Sequence, residues 1–342
     1  MKWMVTGGAG FIGSTLVRRL LSQPDDSVIN VDKITYASAP ESLAGLEEEP
    51  RYIFSRQDIC DRAAIDSLLA EHQPDAVFHL AAETHVDRSI DAPGGFVATN
   101  VVGTFTVLDS AAHYWRSMPP AARDRFRFVH VSTDEVFGPA QIGETFTLAS
   151  PYRPSSPYAA SKAAADHLAR AWSTTFGLPL IVTHCSNNVG SFQHPEKLIP
   201  RTIVRCLEGK PIPIFGDGAQ QRDWLYVDDH VAGIAAAADA GLIGSSYMFA
   251  TGVTRSNNEV VHAVCGLLDE LSPESRHRPH HDLISHVPDR PGHDFRYAID
   301  PGGSQKELGW TPAVSFAAGL RDTVLWYLGN HPWWRKRLDN LG

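Results

Sequence analysis

Cysteine is scarce in this chain of 342 residues. Four thiols, Cys60, Cys185, Cys206 and Cys265, stand too far apart for a zinc site or a disulfide scaffold. Reduced cytosolic thiols are the expectation. Positive charge is in deficit: 30 Lys and Arg against 39 Asp and Glu leave a net charge of -9. That argues against a broad nucleic-acid surface, while a local basic pocket for an anionic ligand stays open. No apolar run has the length to span a membrane, and the alanine-rich stretch at 231–240 is too short. Residues 1–8 enter a strand and a turn without a basic leader and secretory segment. A cytoplasmic protein with neither a nucleic-acid nor a membrane partner is expected. Internal repeats, coiled-coil heptads and a hydrolase serine elbow are also missing. The histidines at 280 and 281 have no further ligand at metal-site spacing, so an exposed polar loop and no metal are expected.

What is present begins with an apolar strand, Trp3-Met4-Val5, running into Thr6-Gly7-Gly8-Ala9-Gly10-Phe11-Ile12-Gly13 and a helical pattern over 14–21. Glycines at 7, 10 and 13 permit a tight turn, close approach to a phosphate and close helix packing. Amides at the helix start would face a pyrophosphate. The motif is weak alone and stronger directly after a strand; a glycine-rich turn in another α/β protein is the plain alternative. A second strand, 28–31, ends at Asp32, placed to accept from an adenosine ribose diol and to repel a 2′-phosphate, which favours NAD over NADP. Lys33 opposes that preference, and a solvated strand end is the plainer reading of Asp32. Asp58 and Ile59 follow an apolar run and are placed to flank the adenine. Leu80-Ala81-Ala82 closes another strand with small side chains that admit a flat cofactor, followed by Thr84, His85 and Arg88. His79 by itself reads as a packed, hydrogen-bonded histidine.

The next strand, 128–132, delivers Thr133, Asp134 and Glu135 just past its carboxyl end, where open α/β sheets bind ligands. A helix predicted over 158–174, with Pro157 at its start, puts Tyr158 and Lys162 on one face. Beside a nicotinamide, a tyrosine and a lysine so spaced can remove a hydroxyl proton. An adjacent acid and base would let the oxidised intermediate lose water as well. A bare Asp-Glu pair is normally a solvated turn; between a strand end and this helix it suggests a redox-neutral dehydratase. Short apolar strands alternating with helices predict a Rossmann-type doubly wound parallel sheet, with a smaller mixed α/β substrate-binding domain.

Longer stretches are more selective. They are TGGAGFIGS at 6–14, HLAAETHVDRSI at 79–90, VSTDEVFG at 131–138, YAASK at 158–162, SNN at 186–188, HPEKLIP at 194–200, RDWLYVDDH at 222–230 and RPGHDFRYAID at 290–300. With these the chain resembles the extended short-chain dehydrogenase/reductase family, and within it the dTDP-glucose 4,6-dehydratases, over nearly its whole length. The resemblance implies a Rossmann domain mainly over 1–188 and a nucleotide-sugar region mainly over 189–342, with segments returning to the sheet. It gives Thr133, Asp134, Glu135, Tyr158 and Lys162 catalytic roles. Phe11, Ile12, Thr99 and Asn188 join the NAD contacts named above. For the substrate it points to His85, Thr133, Asp134, Glu135, Asn187, Glu196, Lys197, Leu198, Pro213, Arg222, Asn257, Arg290 and His293. Lys197, Arg222 and Arg290 would balance the diphosphate, Arg290 by a forked contact; a local Arg222-Asp223 ion pair is the plain alternative. The family's usual tyrosine is Phe137 here, NNYGPY becomes Asn187-Asn188-Val189-Gly190-Ser191-Phe192, and Ala39-Pro40-Glu41 occupies the region of a common GN motif.

The implied reaction is dehydration of dTDP-D-glucose to dTDP-4-keto-6-deoxy-D-glucose, a hydro-lyase step in deoxysugar and antibiotic biosynthesis. Tyr158 takes the C4 hydroxyl proton, with Lys162 favouring the tyrosinate. Glu135 takes the C5 proton, Asp134 protonates the departing C6 hydroxyl, and the hydride returns to C6 with reprotonation at C5. A UDP-sugar 4,6-dehydratase or a 4-epimerase is the nearest other reading, and a catalytically silent NAD-binding regulator the distant one. The resemblance also implies a homodimer. Pro211, Pro213 and residues 215–218 are expected to shape a loop. Trp333-Trp334-Arg335-Lys336-Arg337 reads as packing or a local ion network in so acidic a chain.

Overall fold

The computed structural model describes residues 1–289 and 291–339. Among the described residues twelve strands run in chain order: β1 Lys2–Thr6, β2 Ser27–Val31, β3 Tyr52–Ser55, β4 Ala76–His79, β5 Arg127–Val131, β6 Leu180–Cys185, β7 Asn187–Val189, β8 Ile212–Phe215, β9 Gln221–Tyr226, β10 Ser246–Phe249, β11 Thr254–Ser256 and β12 Ile284–Val287. Seven make one parallel sheet in the order β3-β2-β1-β4-β5-β6-β10. Its central strands are buried along nearly their whole length because helices cover both faces. Helices Phe11–Leu21 and Val227–Ala240 pack on one face; Arg62–His72, Thr104–Ser117 and Pro157–Phe176 pack on the other.

The order reverses between β1 and β4. Chains leaving the two strands turn to opposite faces there, and a crevice opens at the carboxyl ends. The Pro157–Phe176 helix has local reasons to begin and end where it does. Ser156 accepts from the Ala159 amide at 3.1 Å, Pro157 has no amide to leave unsatisfied, and Gly177 ends the helix at φ 76°.

The remaining strands form β11-β9-β7 and β12-β8. Around them the helices Leu198–Glu208, Asn257–Leu271 and Phe316–Gly329 bury a separate apolar cluster containing Ile203, Val264, Val324 and Trp334. This smaller lobe faces the carboxyl ends of the large sheet. Phe192 belongs to it: the residue takes the left-handed backbone region, φ 64°, and its ring lies 4.6 Å from Trp326. Phe137 packs in another small cluster, against Phe146 and Tyr152.

Candidate active site

A cleft of about 440 Å³ lies over the crevice, walled by the ends of β1, β2, β4, β5 and β6 and closed by the smaller lobe. The glycine loop forms its floor. A Cβ on Gly7, at φ 76°, would sit 2.7 Å from the Ala81 backbone, and one on Gly13 would sit 2.1 Å from the Gly7 carbonyl oxygen. Neither position tolerates a side chain. Gly10, Phe11, Ile12, Leu80, Ala81, Ala82, Thr84 and Thr99 also line the cleft. No side chain caps the Phe11–Leu21 helix and its first turn has no acid, so its leading amides are available to an anion. The cradle therefore fits a dinucleotide pyrophosphate.

Asp32 lines the cleft at the end of β2. It accepts from the amides of Ala9 at 3.0 Å and Ile34 at 2.8 Å and from the Ser38 hydroxyl at 3.1 Å. It is thus an anchored strand-end carboxylate, not a solvated one. Lys33 reaches Thr99 Oγ1 at 3.2 Å and Asp58 at 3.6 Å. Ile59 lines the cleft, and Asp58 stands beside it, turned to Lys33 and the Cys60 amide.

At the other end, Thr133, Glu135, Tyr158 and Lys162 line the cleft together. The Thr133 hydroxyl accepts from the Glu135 amide at 3.3 Å. Burial, reinforced by the Glu135 charge, holds the Tyr158 phenol well above its ordinary pKa. Lys162 Nζ donates to the Val131 carbonyl at 2.8 Å, and burial lowers its pKa. Asp134 sits behind the cleft wall, 2% exposed. Thr133 donates to its Oδ1 at 3.3 Å, while Oδ2 has no hydrogen-bond partner. Burial first, then the charge of Glu135, pushes this carboxyl well above the usual range. Asp134 is thus held toward its protonated form, with the Glu135 charge beside it.

The smaller lobe contributes Asn187, Asn188, Glu196, Lys197, Leu198, Pro213, Arg222, Asn257 and His293 to the same cleft, with His85 opposite. Glu196 is 3.3 Å from His85 Nε2, and burial raises its pKa. Lys197 Nζ donates to the Thr84 carbonyl at 3.0 Å, tying the lobe to the sheet. Arg222 donates to the carbonyls of Asp294 at 2.8 Å and Phe295 at 3.3 Å and lies 4.2 Å over the Tyr297 ring. The expected contact by Arg290 falls outside the described residues.

Three plainer expectations are corrected. Arg222 and Asp223 do not pair, since successive side chains of β9 point to opposite faces; Asp223 instead accepts from Thr251, Gly252 and Val253. Pro213 lies within β8, a strand with a single neighbour, which leaves its missing amide unneeded. His280 is fully buried, its Nδ1 2.6 Å from Asp269 Oδ1; His281 is exposed. Among the described residues no group of three or more His, Cys, Asp or Glu could hold a metal ion.

Residues not singled out from the sequence also reach the cleft, among them Ser38, Gln193, His194, Arg201, Trp224 and Tyr297. His194 and Tyr297 lie inside the selective stretches at 194–200 and 290–300, which carried that signal. Burial lowers the His194 pKa to about 3. Ser38 and Arg201 have no local signature.

The fold and cleft are those of an extended short-chain dehydrogenase/reductase. The family model described as GDP-mannose 4,6 dehydratase matches residues 4–323. The dTDP-glucose 4,6-dehydratase of Neisseria meningitidis is 51% identical, covering 100% of this chain and 99% of its own. The crystal structure of DesIV, a dTDP-glucose 4,6-dehydratase from Streptomyces venezuelae with NAD and TYD bound, superposes with a TM-score of 0.89 at 42% identity, covering 98% of this chain and 100% of that one. The UDP-glucose 4-epimerase of Thermotoga maritima, solved with UDP-glucose, reaches a TM-score of 0.84 at 27% identity, covering 97% and 100%. The chain belongs to the dTDP-glucose 4,6-dehydratase family.

Proposed function

We infer that the protein is an NAD-dependent hydro-lyase that converts dTDP-D-glucose to dTDP-4-keto-6-deoxy-D-glucose. The observation that carries the reading is the pairing of a buried, proton-holding Asp134 with Glu135 beside the Tyr158–Lys162 helix. A simple oxidoreductase or an epimerase has no use for that pair. Bound NAD supplies the hydride acceptor and, after water is lost, the donor. Tyr158 removes the C4 hydroxyl proton while Thr133 hydrogen-bonds the same oxygen. Lys162 would favour the Tyr158 tyrosinate with its positive charge and orient the cofactor ribose. The new ketone acidifies C5–H, Glu135 takes that proton, and Asp134 gives its own to the departing C6 hydroxyl; the hydride then returns to C6 with reprotonation at C5. Lys197, Arg222 and Arg290 balance the diphosphate; His85, Asn187, Glu196, Leu198, Pro213, Asn257 and His293 surround the rest of the substrate. The glycine loop, Asp32, Lys33, Asp58, Ile59, Thr99 and Asn188 hold the cofactor. Residues 1–188 mainly serve NAD and 189–342 mainly serve the sugar nucleotide, β10 returning to the large sheet.

The protein works as a homodimer in the cytoplasm. Val102, Phe105 and Phe176 are 49%, 42% and 40% exposed on two packed helices, with Trp172 against both phenylalanines. This apolar face suits burial by a second copy. All four cysteines are free, in accord with a reducing compartment. Among the described residues no helix is long and apolar enough to cross a membrane.

Separate incubations with dTDP-glucose, UDP-glucose and UDP-N-acetylglucosamine, followed by mass spectrometry, test the reading. Loss of water from dTDP-glucose without net oxidation is expected. Turnover of a UDP sugar alone would reject the substrate, and conversion to a galactose isomer would reject the dehydration.

A further inference from the structure

The aromatic-basic segment at 333–337 is the sequence feature that the reaction leaves unused. In the structure it forms part of the His331–Asp339 helix, whose Trp333 and Trp334 are buried in the smaller lobe. Trp334 Nε1 donates to the Tyr327 carbonyl at 3.1 Å, and the Tyr327 hydroxyl donates to the carbonyl of Gln193, a residue of the cleft wall. The helix is thus fixed to the substrate side of the molecule.

Its basic side chains reach across to the other side. Arg337 is 6% exposed and lies 4.0 Å over the Trp333 ring. One arm of its guanidinium donates to the Trp333 carbonyl at 3.2 Å. The other donates to Glu41 Oε2 at 2.6 Å and to the Ser38 carbonyl at 3.4 Å. Lys336 adds a contact to Glu41 Oε1 at 3.5 Å. Glu41 and Ser38 belong to the connection between β2 and β3, whose regular structure is one short turn, Pro40–Leu43. That connection forms the wall beside Asp32, with Thr35, Ala37 and Ser38 lining the cleft. The Ser38 hydroxyl donates to Asp32, and the Ala39 amide donates to the Ala9 carbonyl in the glycine loop at 2.7 Å.

We propose that Arg337 is a positioning residue for NAD: the carboxyl-terminal helix clasps the 38–41 segment from the substrate lobe and so holds the Asp32 wall against the adenosine ribose. The inference rests on the reading that NAD lies in the cleft with this ribose at Asp32. A guanidinium held by ring stacking and by one arm on a backbone carbonyl already points its other arm at Glu41 and the Ser38 carbonyl, so little ordering is lost when the clasp forms. Exposed ion pairs contribute little, but this one has a buried cation. Without it, the segment must be ordered when NAD binds, and the cost falls on cofactor affinity and not on binding of the nucleotide that occupies the other lobe.

The test uses full-length protein stripped of nucleotide and titrated calorimetrically with NAD and, separately, with dTDP. Arg337→Ala and Glu41→Ala are each expected to weaken NAD binding about tenfold. Their double variant should be no weaker than either alone, and dTDP affinity should stay within about twofold. Arg337→Lys should fall between wild type and Arg337→Ala, since a point charge keeps the attraction to Glu41 and cannot hold both sides at once. Glu41 is on the surface side of the pair, 41% exposed, so Glu41→Ala carries the test alone should the arginine variants fail to fold. NAD affinity at the wild-type level in Glu41→Ala overturns the clasp, as does an equal loss of NAD and dTDP binding. A wild-type protein that binds no NAD would instead overturn the cofactor reading beneath it.

Discussion

Asp134 and Asp166 are both buried, at 2% and 0% exposed, and burial pushes both carboxyls toward the neutral form. They end in opposite states. Asp166, one helical turn beyond Lys162, receives hydrogen bonds from Ser132 at 2.8 Å, Tyr152 at 2.9 Å, His130 at 3.0 Å and His184 at 3.2 Å. Those donors outweigh burial and hold its pKa below the ordinary carboxylate range. Asp134 has one weak donor, a bare Oδ2 and the Glu135 charge beside it, so its pKa is raised. The difference separates an anchored carboxylate from one that holds a proton. Asp166 binds the end of β5 to the helix carrying Tyr158 and Lys162, and it has no reason to release its charge. Asp134 keeps a proton because nothing nearby rewards giving it up.

The largest test of the comparison removes the anchor. Asp166→Ala leaves four buried donors facing no anion and is expected to cost about 3–5 kcal/mol in urea unfolding. A cost below about 1 kcal/mol would mean the four contacts add nothing beyond burial. Next, Asp134→Asn keeps the size and removes the donated proton. Formation of the 4-keto-6-deoxy product should fall about a hundredfold, while single-turnover C4 oxidation, read as enzyme-bound NADH, falls much less. Equal loss of both steps would tie Asp134 to the first hydride transfer instead.

A third test is pH dependence. The depressed pKa of Asp166 gives stability that is present above about pH 3.9 and lost as pH falls through its folded value. For Asp134 the sign reverses: its contribution is present below about pH 3.9 and is lost as pH rises toward its folded value. Asp134→Asn should therefore gain stability over the wild type with rising pH, by at most about 1.4 kcal/mol for each pH unit in that window. Urea titrations from pH 5 to pH 8 check it; a gap that narrows with pH would contradict the raised pKa.

The parts legible in the sequence were those written locally. An apolar strand ending in Gly7, a strand ending at Asp32 and a Tyr158–Lys162 spacing each lie within a few residues, and they placed the doubly wound sheet and its crevice correctly. Most expected site residues lie in the selective stretches, and those within the described chain line the cleft or stand beside it. The Trp333–Arg337 segment read correctly as packing with an ion network. What escaped depends on distant partners. Asp166 meets His130 and Tyr152 only because β5 and the loop before its helix fold back on it. His280 is buried through Asp269 on a different element, which histidine spacing cannot reveal. Arg222 and Asp223 are neighbours in sequence and strangers on a strand. The ammonium of Lys162 turns to the Val131 carbonyl, a backbone acceptor that no side-chain pattern announces.

The central claim is that one hydride leaves C4 and returns to C6 while Asp134 and Glu135 remove water in between. The protein should be given dTDP-glucose deuterated at C4, and the product mapped by mass spectrometry and NMR. The account predicts a 4-keto-6-deoxy sugar with the deuterium at C6 and no net accumulation of NADH. Deuterium retained at C4 of an epimerised sugar, or released as NADD with a product that has lost no water, would contradict it.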